Sequence, residues 1–380
     1  MLKFRTGVPV TGDDFIDRKK HLPLFKSYLE SEQNIMLKAP RRFGKTSLVK
    51  HLLEGKSQYN YIYIDINIAT NLKELSDKIL DSAYGLSNID NFVYRAKNSL
   101  LELIRALGSI KTEAEGLFDL SIEFNQQKEI DAVKYYLHSL DVLNAIASQK
   151  KIHVKCVFDE FQDILKIADK TILDKTRSVM QHHKNVSYIF LGSIETIMTQ
   201  IFENKSSAFF HFAKIIALPP LDTKELLDYA KETFSNQHIK CEKLEDFIAF
   251  LGGHPDYSMQ FLQKIYMSAL AYNLKEISSQ QMNDFMLETI MENRAYIGEL
   301  INKAKSKKHH LEVLVTIAKN EKSFIDGKSL YNVRISLEDM GLISRVGQGE
   351  YVIVDIFLKF VLASGGFGEL DGPKAPIISQ

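Results

Sequence analysis

The sequence contains very little cysteine, and its charges leave no excess of either sign. Its 380 residues include two cysteines, Cys156 and Cys241, and neither belongs to a CxxC pair or to a Cys/His cluster with metal-ligand spacing. This excludes a disulfide scaffold and a zinc site, and it predicts reduced, buried cysteines. The 48 basic and 48 acidic residues cancel, which removes any global electrostatic attraction to nucleic acid or membranes.

Long hydrophobic runs are also missing. The first residues, MLKFRTGVPVTGDDF, lack the continuous apolar core of a signal peptide. No later run approaches the roughly 20 apolar residues that a membrane span needs. We therefore expect a cytoplasmic protein that makes no membrane contact.

The composition is that of an ordinary globular protein, with 45% apolar and 25% charged residues. Because the chain is longer than one growing core supports, two or three domains are expected. Strands separated by long helical stretches predict a parallel sheet covered by helices on both faces. In chain order, the pattern predicts strand 35–37, strand 61–68, helix 71–106, a small strand at 118–124, helix 130–149, strand 152–158 and strand 186–191.

After Pro219 and Pro220 the pattern changes to helices, which places a domain boundary near residue 220. A lysine-rich stretch at 302–308 suits a linker, and two short strands around Gly347-Gln348-Gly349 predict a hairpin. Helices followed by such a hairpin are the order of a winged helix. The predicted units are an α/β domain (1–220), a helical lid (221–302), a winged-helix-like domain (303–365) and a flexible tail (366–380). The helices predicted after residue 220 are 222–235, 244–251, 257–272, 280–302, 311–319 and 328–340.

The strongest motif is KAPRRFGKTSL at residues 38–48, which matches the P-loop pattern G-x-x-x-x-G-K-[ST] except that Ala39 replaces the first glycine. A phosphate site needs inward backbone N–H groups, a helix N-terminus, a lysine for the β and γ oxygens and a hydroxyl for Mg²⁺. Gly44, Lys45 and Thr46 meet the tightest of these demands. A chance tripeptide at a helix start is the alternative, but the motif follows an apolar strand and precedes a strand that ends in two acids.

Those two acids are Asp159 and Glu160. Asp159 is expected to hold Mg²⁺ through water, and Glu160 is expected to polarise the attacking water. A solvated turn is the alternative interpretation of this pair. Ser193, at the end of the next strand, is a candidate for contacting the attacking water or the γ-phosphate, and it is equally suited to cap the following helix.

With these residues in place, the chain resembles the archaeal-type AAA ATPases, a branch of the STAND and AAA+ P-loop proteins. The similarity covers residues 12–363 and rests on several motifs in the family's order. These are FIDR at 15–18 followed by Leu22 and Leu24, APRRFGKTSL at 39–48, FDEFQ at 158–162, IALPPL at 216–221, GGHP at 252–255, and YVIVDIF at 351–357 with Ile356 in place of a proline.

The resemblance implies a P-loop NTPase fold with a parallel sheet, followed by an all-helical lid and a winged-helix domain, and it implies ATP and Mg²⁺ as cofactors. The catalytic residues that it implies are Glu160, Lys45 and Ser193, and the metal ligands are Thr46 and Asp159. The expected nucleotide-binding residues are Ala39, Pro40, Arg41, Arg42, Phe43, Gly44, Lys45, Thr46, Ser47, Arg18 and Pro255.

Two positions depart from the family pattern. The first is Ala39, whose small methyl group a modest change of backbone angles accommodates. The second is His211, because many relatives carry at this place an arginine that helps to sense the γ-phosphate, with Lys214 as a possible substitute here. The alanine is expected to weaken nucleotide affinity, and the missing arginine favours either slow hydrolysis or a switch that binds ATP more than it turns it over. His254 is not expected to be a ligand, since Gly253-His254-Pro255 suits a helix C-cap followed by a proline-initiated helix.

The favoured function is an ATP-hydrolysing conformational switch in which the lid moves the winged helix. One alternative is a DNA-binding winged helix whose posture ATP sets, and another is a catalytically silent nucleotide-binding scaffold. Local lysines and arginines favour DNA, but Glu338 and Asp339 in the same stretch oppose it. The expected partners are ATP or ADP, either duplex DNA or a protein at the winged helix, and a second copy of the chain in a homo-oligomer.

Overall fold

The structure is a computed structural model. It describes residues 3–12, 15–16, 18, 21–54, 59–86, 131–192, 195–370 and 377. The small strand predicted at 118–124 and the candidate Ser193 lie outside the described residues.

A five-stranded parallel sheet forms the centre of the first part, with the strand order β2-β3-β4-β1-β5. Each of its four predicted apolar stretches forms a strand, and the fifth strand lies at the start of IALPPL. A crossover order of this kind requires each connection to pass over a face of the sheet, where helices cover it. The strands are β1 (Ile35–Lys38), β2 (Asn60–Asp65), β3 (Val154–Asp159), β4 (Val186–Leu191) and β5 (Lys214–Ala217).

Helices cover both faces of this sheet, as predicted. On β2, Ile62 and Ile64 join the core of one face while Tyr61 and Tyr63 pack against the other, which is the period of two that a strand imposes. One face carries α1 (Leu22–Glu30) and α2 (Lys45–Glu54), and the other carries α3 (Leu72–Gly85), α4 (Ala132–Lys150), α5 (Ile164–Ile167), α6 (Thr171–Met180) and α7 (Glu195–Phe202).

Two elements, the strand predicted at 61–68 and the helix predicted at 280–302, are shorter in the structure than predicted. Strand β2 stops at Asp65, because the Asp65 carboxylate accepts a hydrogen bond of 3.0 Å from the Asn67 N–H and caps a 3-10 turn at Ile66–Ile68. The predicted helix 280–302 is two helices that meet at Asn293. The Asn293 amide donates to the Thr289 carbonyl at 2.8 Å, so a local side-chain bond replaces the continuing helix.

Residues 221–370 form the C-terminal helical region, which has one continuous apolar core. The predicted boundary at residue 302 falls inside a helix. The predicted hairpin is confirmed, whereas the stretch predicted as all-helical also contains a two-stranded parallel pair. The elements are α8 (Thr223–Ser235), β6 (Lys240–Cys241), α9 (Leu244–Leu251), α10 (Pro255–Ala271), β7 (Glu276–Ile277), α11 (Ser279–Glu292), α12 (Arg294–Lys305), α13 (His310–Lys319), α14 (Gly327–Asp339), β8 (Ile343–Gly347), β9 (Glu350–Ile353), α15 (Ile356–Ala363) and α16 (Phe367–Leu370).

The predicted flexible tail contains ordered contacts. The Phe367 ring lies 5.2 Å from the Arg294 guanidinium, and the Ile377 N–H donates to the Asn283 side-chain oxygen at 2.7 Å. Of the described residues of the tail, Phe367, Leu370 and Ile377 pack against the core of the C-terminal helical region. Within the part of the chain that the structure covers, no helix has the length and apolar character needed to cross a membrane.

A glycine pair, Gly252 and Gly253, lies between α9 and α10 and is bonded to the start of the C-terminal helical region. Gly252 ends α9 in the left-handed region, and Gly253 follows with φ 73°. The Leu221 N–H donates to the Gly253 carbonyl at 2.8 Å, and a Cβ on Gly253 would lie 2.0 Å from the Leu221 carbonyl oxygen. Glycine at 253 is therefore required both by its backbone angles and by the close approach of residue 221.

We expect Gly253→Ala to lower the free energy of unfolding by at least about 2 kcal/mol, because it adds a left-handed alanine and a backbone clash. Urea unfolding followed by circular dichroism measures this value. Gly298→Ala in α12 is the matched control, since its Cβ meets nothing within 4 Å. It should stabilise the protein by about 0.5–1 kcal/mol, and equal effects of the two variants would contradict the assignment.

Candidate functional site

A loop of residues 39–44 connects β1 to α2. The Ala39 side chain is buried in the apolar core, and the residues of this loop with positive φ are Arg42 (65°) and Gly44 (79°). Position 39 therefore does not require glycine for its backbone angle, which accounts for the alanine. The left-handed positions lie at the other end of the loop, where α2 begins.

Lys45 is the first residue of α2, and its side chain is largely buried. Its ammonium group donates to the carbonyl oxygens of Ala39 and Pro40, each at 2.9 Å. The amine therefore lies inside the loop at the amino end of a helix, where the helix dipole also favours negative charge.

The carboxyl ends of β2 and β3 lie beside this loop, with Asp65 and Asp159 paired in register. The Thr46 hydroxyl donates to Oδ2 of Asp159 at 2.9 Å, and the Tyr63 hydroxyl donates to the same oxygen. Burial raises the pKa of Tyr63, and the neighbouring Asp159 carboxylate raises it further. Tyr63 therefore remains a protonated donor at neutral pH. Tyr63 could not be identified from the sequence, because its bond to Asp159 depends on the pairing of two distant strands.

Glu160 follows the end of β3 and has a left-handed backbone with φ 51°. Its carboxylate accepts a hydrogen bond of 2.7 Å from the Gln162 amide. The pKa of Asp65 is raised by burial and by the charges of Asp159, Glu160 and Asp163. This end of the sheet therefore concentrates negative charge opposite the cationic loop.

A cavity of about 660 Å³ lies between these groups and the C-terminal helical region. Ala39 and Pro40 contribute the carbonyl oxygens that hold Lys45 and do not line the cavity. Strand ends, helix starts and both parts of the chain meet here, as is common for ligand sites in α/β proteins. The predicted site residues that line it are Arg18, Arg41, Arg42, Phe43, Gly44, Lys45, Thr46, Ser47, Asp159, Glu160 and Pro255.

Arg18 is buried, and its guanidinium donates to the carbonyl oxygens of Pro219 at 2.7 Å and Phe43 at 3.0 Å. It thereby connects the loop to the segment that leads into the C-terminal helical region. Arg42 also bridges the two parts, because it donates to Asp256 at 3.2 Å and to Asn293 at 3.3 Å. The hydrogen bonds that these two arginines donate thus connect the loop to neighbouring segments of the chain.

Residues 4–10, the N-terminal segment, form one wall of the cavity. The Phe4 ring is buried in the core of the C-terminal helical region, 5.4 Å from Phe234, and the Val10 N–H donates to the Ser47 hydroxyl at 3.1 Å. The segment therefore spans from that region to α2. Sequence reasoning missed it because an irregular segment has no periodicity to recognise.

His254 caps α10, and Pro255 is its first residue, which confirms the capping interpretation of GGHP. The His254 ring accepts a hydrogen bond of 3.3 Å from the Tyr257 N–H and stacks on the Tyr257 ring at 4.0 Å. Burial, with a smaller contribution from Arg42, lowers the pKa of His254 to about 3. The ring is therefore a neutral structural cap.

His211 and Lys214 lie far from the loop. Lys214 begins β5 and pairs with Ile35 at the start of β1, whereas the loop follows the end of β1. His211 lines a separate polar cavity of about 320 Å³ with Glu32, His153 and Arg177. Because parallel strands place their starts at one end of the sheet and their carboxyl ends at the other, Lys214 and the loop lie at opposite ends of the sheet within the same chain.

The parallel sheet, the loop before α2 and the acidic end of β3 define a P-loop ATPase. Residues 15–261 match the model of a family described as an ATPase domain predominantly from Archaea, so the chain belongs to that family.

The chain is similar in sequence or in fold to known proteins of this class. The chain is 23% identical over 328 residues to an uncharacterized ATP-binding protein of Methanocaldococcus jannaschii, covering 79% of this chain and 86% of that protein. The fold is similar to that of a Walker-type ATPase of Pyrococcus abyssi, with a TM-score of 0.66, 18% identity and coverage of 95% and 99% of the two chains. It is also similar to the ORC2 protein of Aeropyrum pernix in ADPNP-ADP complexes, with a TM-score of 0.54, 12% identity and 97% coverage of both chains.

We expect acidification from pH 7 to pH 5 to lower the stability of the protein partly through His254. The unfolded ring binds a proton below its ordinary pKa of 6.5, whereas the folded ring stays neutral until about pH 3. Its stabilising contribution is therefore complete above pH 6.5 and declines as the pH falls, by about 2 kcal/mol at pH 5.

Urea unfolding of the wild type and of His254→Asn at both pH values measures this contribution, since asparagine keeps a capping oxygen without a titrating ring. The variant should lose less stability on acidification. An identical acid loss in His254→Asn and the wild type would refute the prediction.

Proposed function

We propose that the chain binds ATP with Mg²⁺, hydrolyses it slowly and uses the cycle to change the position of its C-terminal helical region. The observation that carries the proposal is that Lys45, Thr46, Asp159 and Glu160 line one cavity, in which the Thr46 hydroxyl is bonded to the Asp159 carboxylate. This arrangement supplies a phosphate-binding helix start and two carboxylates, as P-loop ATPases require.

The loop and α2 would bind the phosphates. Their backbone N–H groups and the partial positive charge of the helix start favour an anion. Lys45 would exchange the carbonyl oxygens of Ala39 and Pro40, now at 2.9 Å, for phosphate oxygens. Arg41, Phe43, Gly44 and Ser47 line the same cavity and would complete the contacts.

The Thr46 hydroxyl and the Asp159 carboxylate fit a magnesium ion. Mg²⁺ prefers hard oxygen ligands and commonly takes one or two from the protein, with water and phosphate for the rest. The Thr46 hydroxyl oxygen and Oδ2 of Asp159 are 2.9 Å apart. A bound Mg²⁺ would supply charge neutralisation of the phosphates.

Glu160 would accept the proton of the attacking water or orient that water. It lines the cavity one residue beyond Asp159, so the two carboxylates serve different positions. Ser193 stays a candidate for the γ-phosphate contact on the sequence argument alone. Burial and hydrogen bonding fix the other groups before ATP binds, which is the arrangement that electrostatic catalysis needs.

The contacts of Arg42 and the N-terminal segment support the proposed switch. Arg42 belongs to the loop but donates to Asp256 and Asn293, and Phe4 and Val10 span the two parts of the chain. ATP in the cavity would contact both parts, so it would favour the arrangement in which both reach it. In this proposal the helices that carry these contacts act as the lid.

The partner of this switch is a separate proposal. Duplex DNA, a protein at the predicted winged helix, and a second copy of the chain are the candidates. The outward surface of α14 bears the exposed side chains of Tyr331 and Ile335 beside Glu338, a mixture that suits a protein better than a phosphate backbone. We therefore rank DNA-dependent action second.

We expect Lys45→Ala to abolish ATP binding and turnover, because it removes the buried ammonium group of the loop. Glu160→Gln should keep ATP affinity within about twofold and lower kcat by about 10²–10⁴-fold. Phosphate release from Mg-ATP, with a fluorescent ATP analogue for affinity, measures both, with and without duplex DNA.

Tight ATP binding with equal inactivity of the wild type and Glu160→Gln would instead indicate a silent nucleotide-binding scaffold. Stimulation of the wild type by DNA would favour the winged-helix alternative. Absence of ATP binding by the wild type would contradict both.

We also expect Arg42→Ala to raise the rate of ATP-analogue release several-fold, because it removes the loop's bonds to Asp256 and Asn293. Stopped-flow displacement of the analogue measures this rate. Arg294→Ala is the control, since that guanidinium stacks on Phe367 rather than bridging to the loop. If the two variants release the analogue equally fast, Arg42 does not couple the two parts.

A further inference from the structure

Gln162 is a buried amide behind the proposed nucleotide site. It is 3% exposed and belongs to the 3-10 turn Phe161–Asp163 that follows Glu160. Glu160 lines the cavity and Gln162 does not. Any effect of Gln162 on ATP must therefore act through a neighbouring side chain.

The amide nitrogen of Gln162 lies between two carboxylates. Nε2 donates to Oε2 of Glu160 at 2.7 Å and to Oδ1 of Asp163 at 3.3 Å. A primary amide has two N–H donors on one nitrogen, and both are used here. The reversed amide would place its oxygen against the acceptor oxygens of two carboxylates, so the hydrogen-bond partners fix the orientation.

The other end of the amide faces strand β4. Oε1 of Gln162 is buried and, in the part of the chain that the structure describes, accepts no hydrogen bond. A Cβ on Gly192 would lie 2.5 Å from this oxygen. A glycine at the end of β4 thus leaves space for the amide, and the side chain is wedged between the ends of β3 and β4.

The backbone adds a second restraint on Glu160. Its φ of 51° is left-handed, and its N–H donates to Oδ1 of Asp159 at 3.0 Å. One end of the residue is thereby fixed by Asp159 and the carboxylate is fixed by Gln162. A group that orients water must be held within about 0.5 Å of its working position, and neighbouring hydrogen bonds commonly supply that restraint.

We propose that Gln162 is a positioning residue for hydrolysis, which holds the Glu160 carboxylate toward the attacking water by donating from Nε2 to Oε2. This inference rests on the proposed ATPase function. Gln162 touches neither ATP nor water in this role. Its loss therefore lowers the rate of the chemical step and leaves nucleotide binding intact.

The test compares Gln162→Met with the wild type, because methionine has similar length and volume but no N–H donor. We expect kcat for Mg-ATP to fall about 10–100-fold, with the affinity for a non-hydrolysable ATP analogue within about twofold. Gln162→Asn keeps the donor on a shorter side chain and should recover part of the rate. Gln280→Glu, at an exposed amide that donates to Asp284 at 3.3 Å, is the control and should match the wild type.

The loss of kcat caused by Gln162→Met must also disappear when the Glu160 carboxylate is removed. In a Glu160→Gln background, Gln162→Met should change kcat by less than about twofold, because residues that act as a unit are not additive. The inference would be overturned if Gln162→Met left kcat unchanged. It would also be overturned if Gln162→Met lowered kcat by the same factor in the Glu160→Gln background as in the wild type. In either case turnover by the wild type would still support the ATPase. Equal losses of kcat and analogue affinity would show a purely structural role. A wild type without Lys45-dependent turnover would overturn the proposed function itself.

Discussion

The structure depends on how two buried cations hold the loop between β1 and α2. Lys45 donates to the carbonyl oxygens of Ala39 and Pro40, and Arg18 donates to that of Phe43. Burying charged groups is costly unless they are fully hydrogen-bonded. The loop carbonyls meet that need and are fixed by it in return. When the carbonyl oxygens of the loop are bonded to these cations, its backbone N–H groups remain suited to bind an anion.

One of these cations, Arg18, also connects the loop to the rest of the molecule. Arg18 also donates to the Pro219 carbonyl, at the start of the segment that leads to the C-terminal helical region. Gly253 accepts from the Leu221 N–H two residues later, and His254 and Pro255 then start α10 at the cavity. The loop before α2 is thus connected to α10 by three hydrogen bonds, two from the Arg18 guanidinium and one between the backbones of Leu221 and Gly253. A shift of either changes the shape of one shared cavity, which is the physical basis for the proposed coupling.

The features that could be predicted from the sequence are local ones. The four apolar strands, the GKT helix start, the Asp159-Glu160 pair and the glycine-proline cap each lie within a few neighbouring residues, and the family resemblance ordered them correctly. Tyr63 could not be predicted, because its bond to Asp159 joins residues 96 apart through a strand register that no local pattern encodes. Arg42 reaches partners 214 and 251 residues away. His211 could not be placed either, because the order of motifs along the chain does not reveal at which end of the strands a residue lies.

Arg42 links the conformation of the loop to the position of the C-terminal helical region. A non-glycine residue in the left-handed region costs about 1–2 kcal/mol, and Arg42 has φ 65°. Its bonds to Asp256 and Asn293, with the Tyr296 ring 5.3 Å from its guanidinium, offset that strain only while α10 and α12 stay in place. If those helices move away, the loop loses the contacts that stabilise its present shape. A phosphate that reshaped the loop would likewise alter those contacts, and thermodynamic linkage makes such a coupling reciprocal.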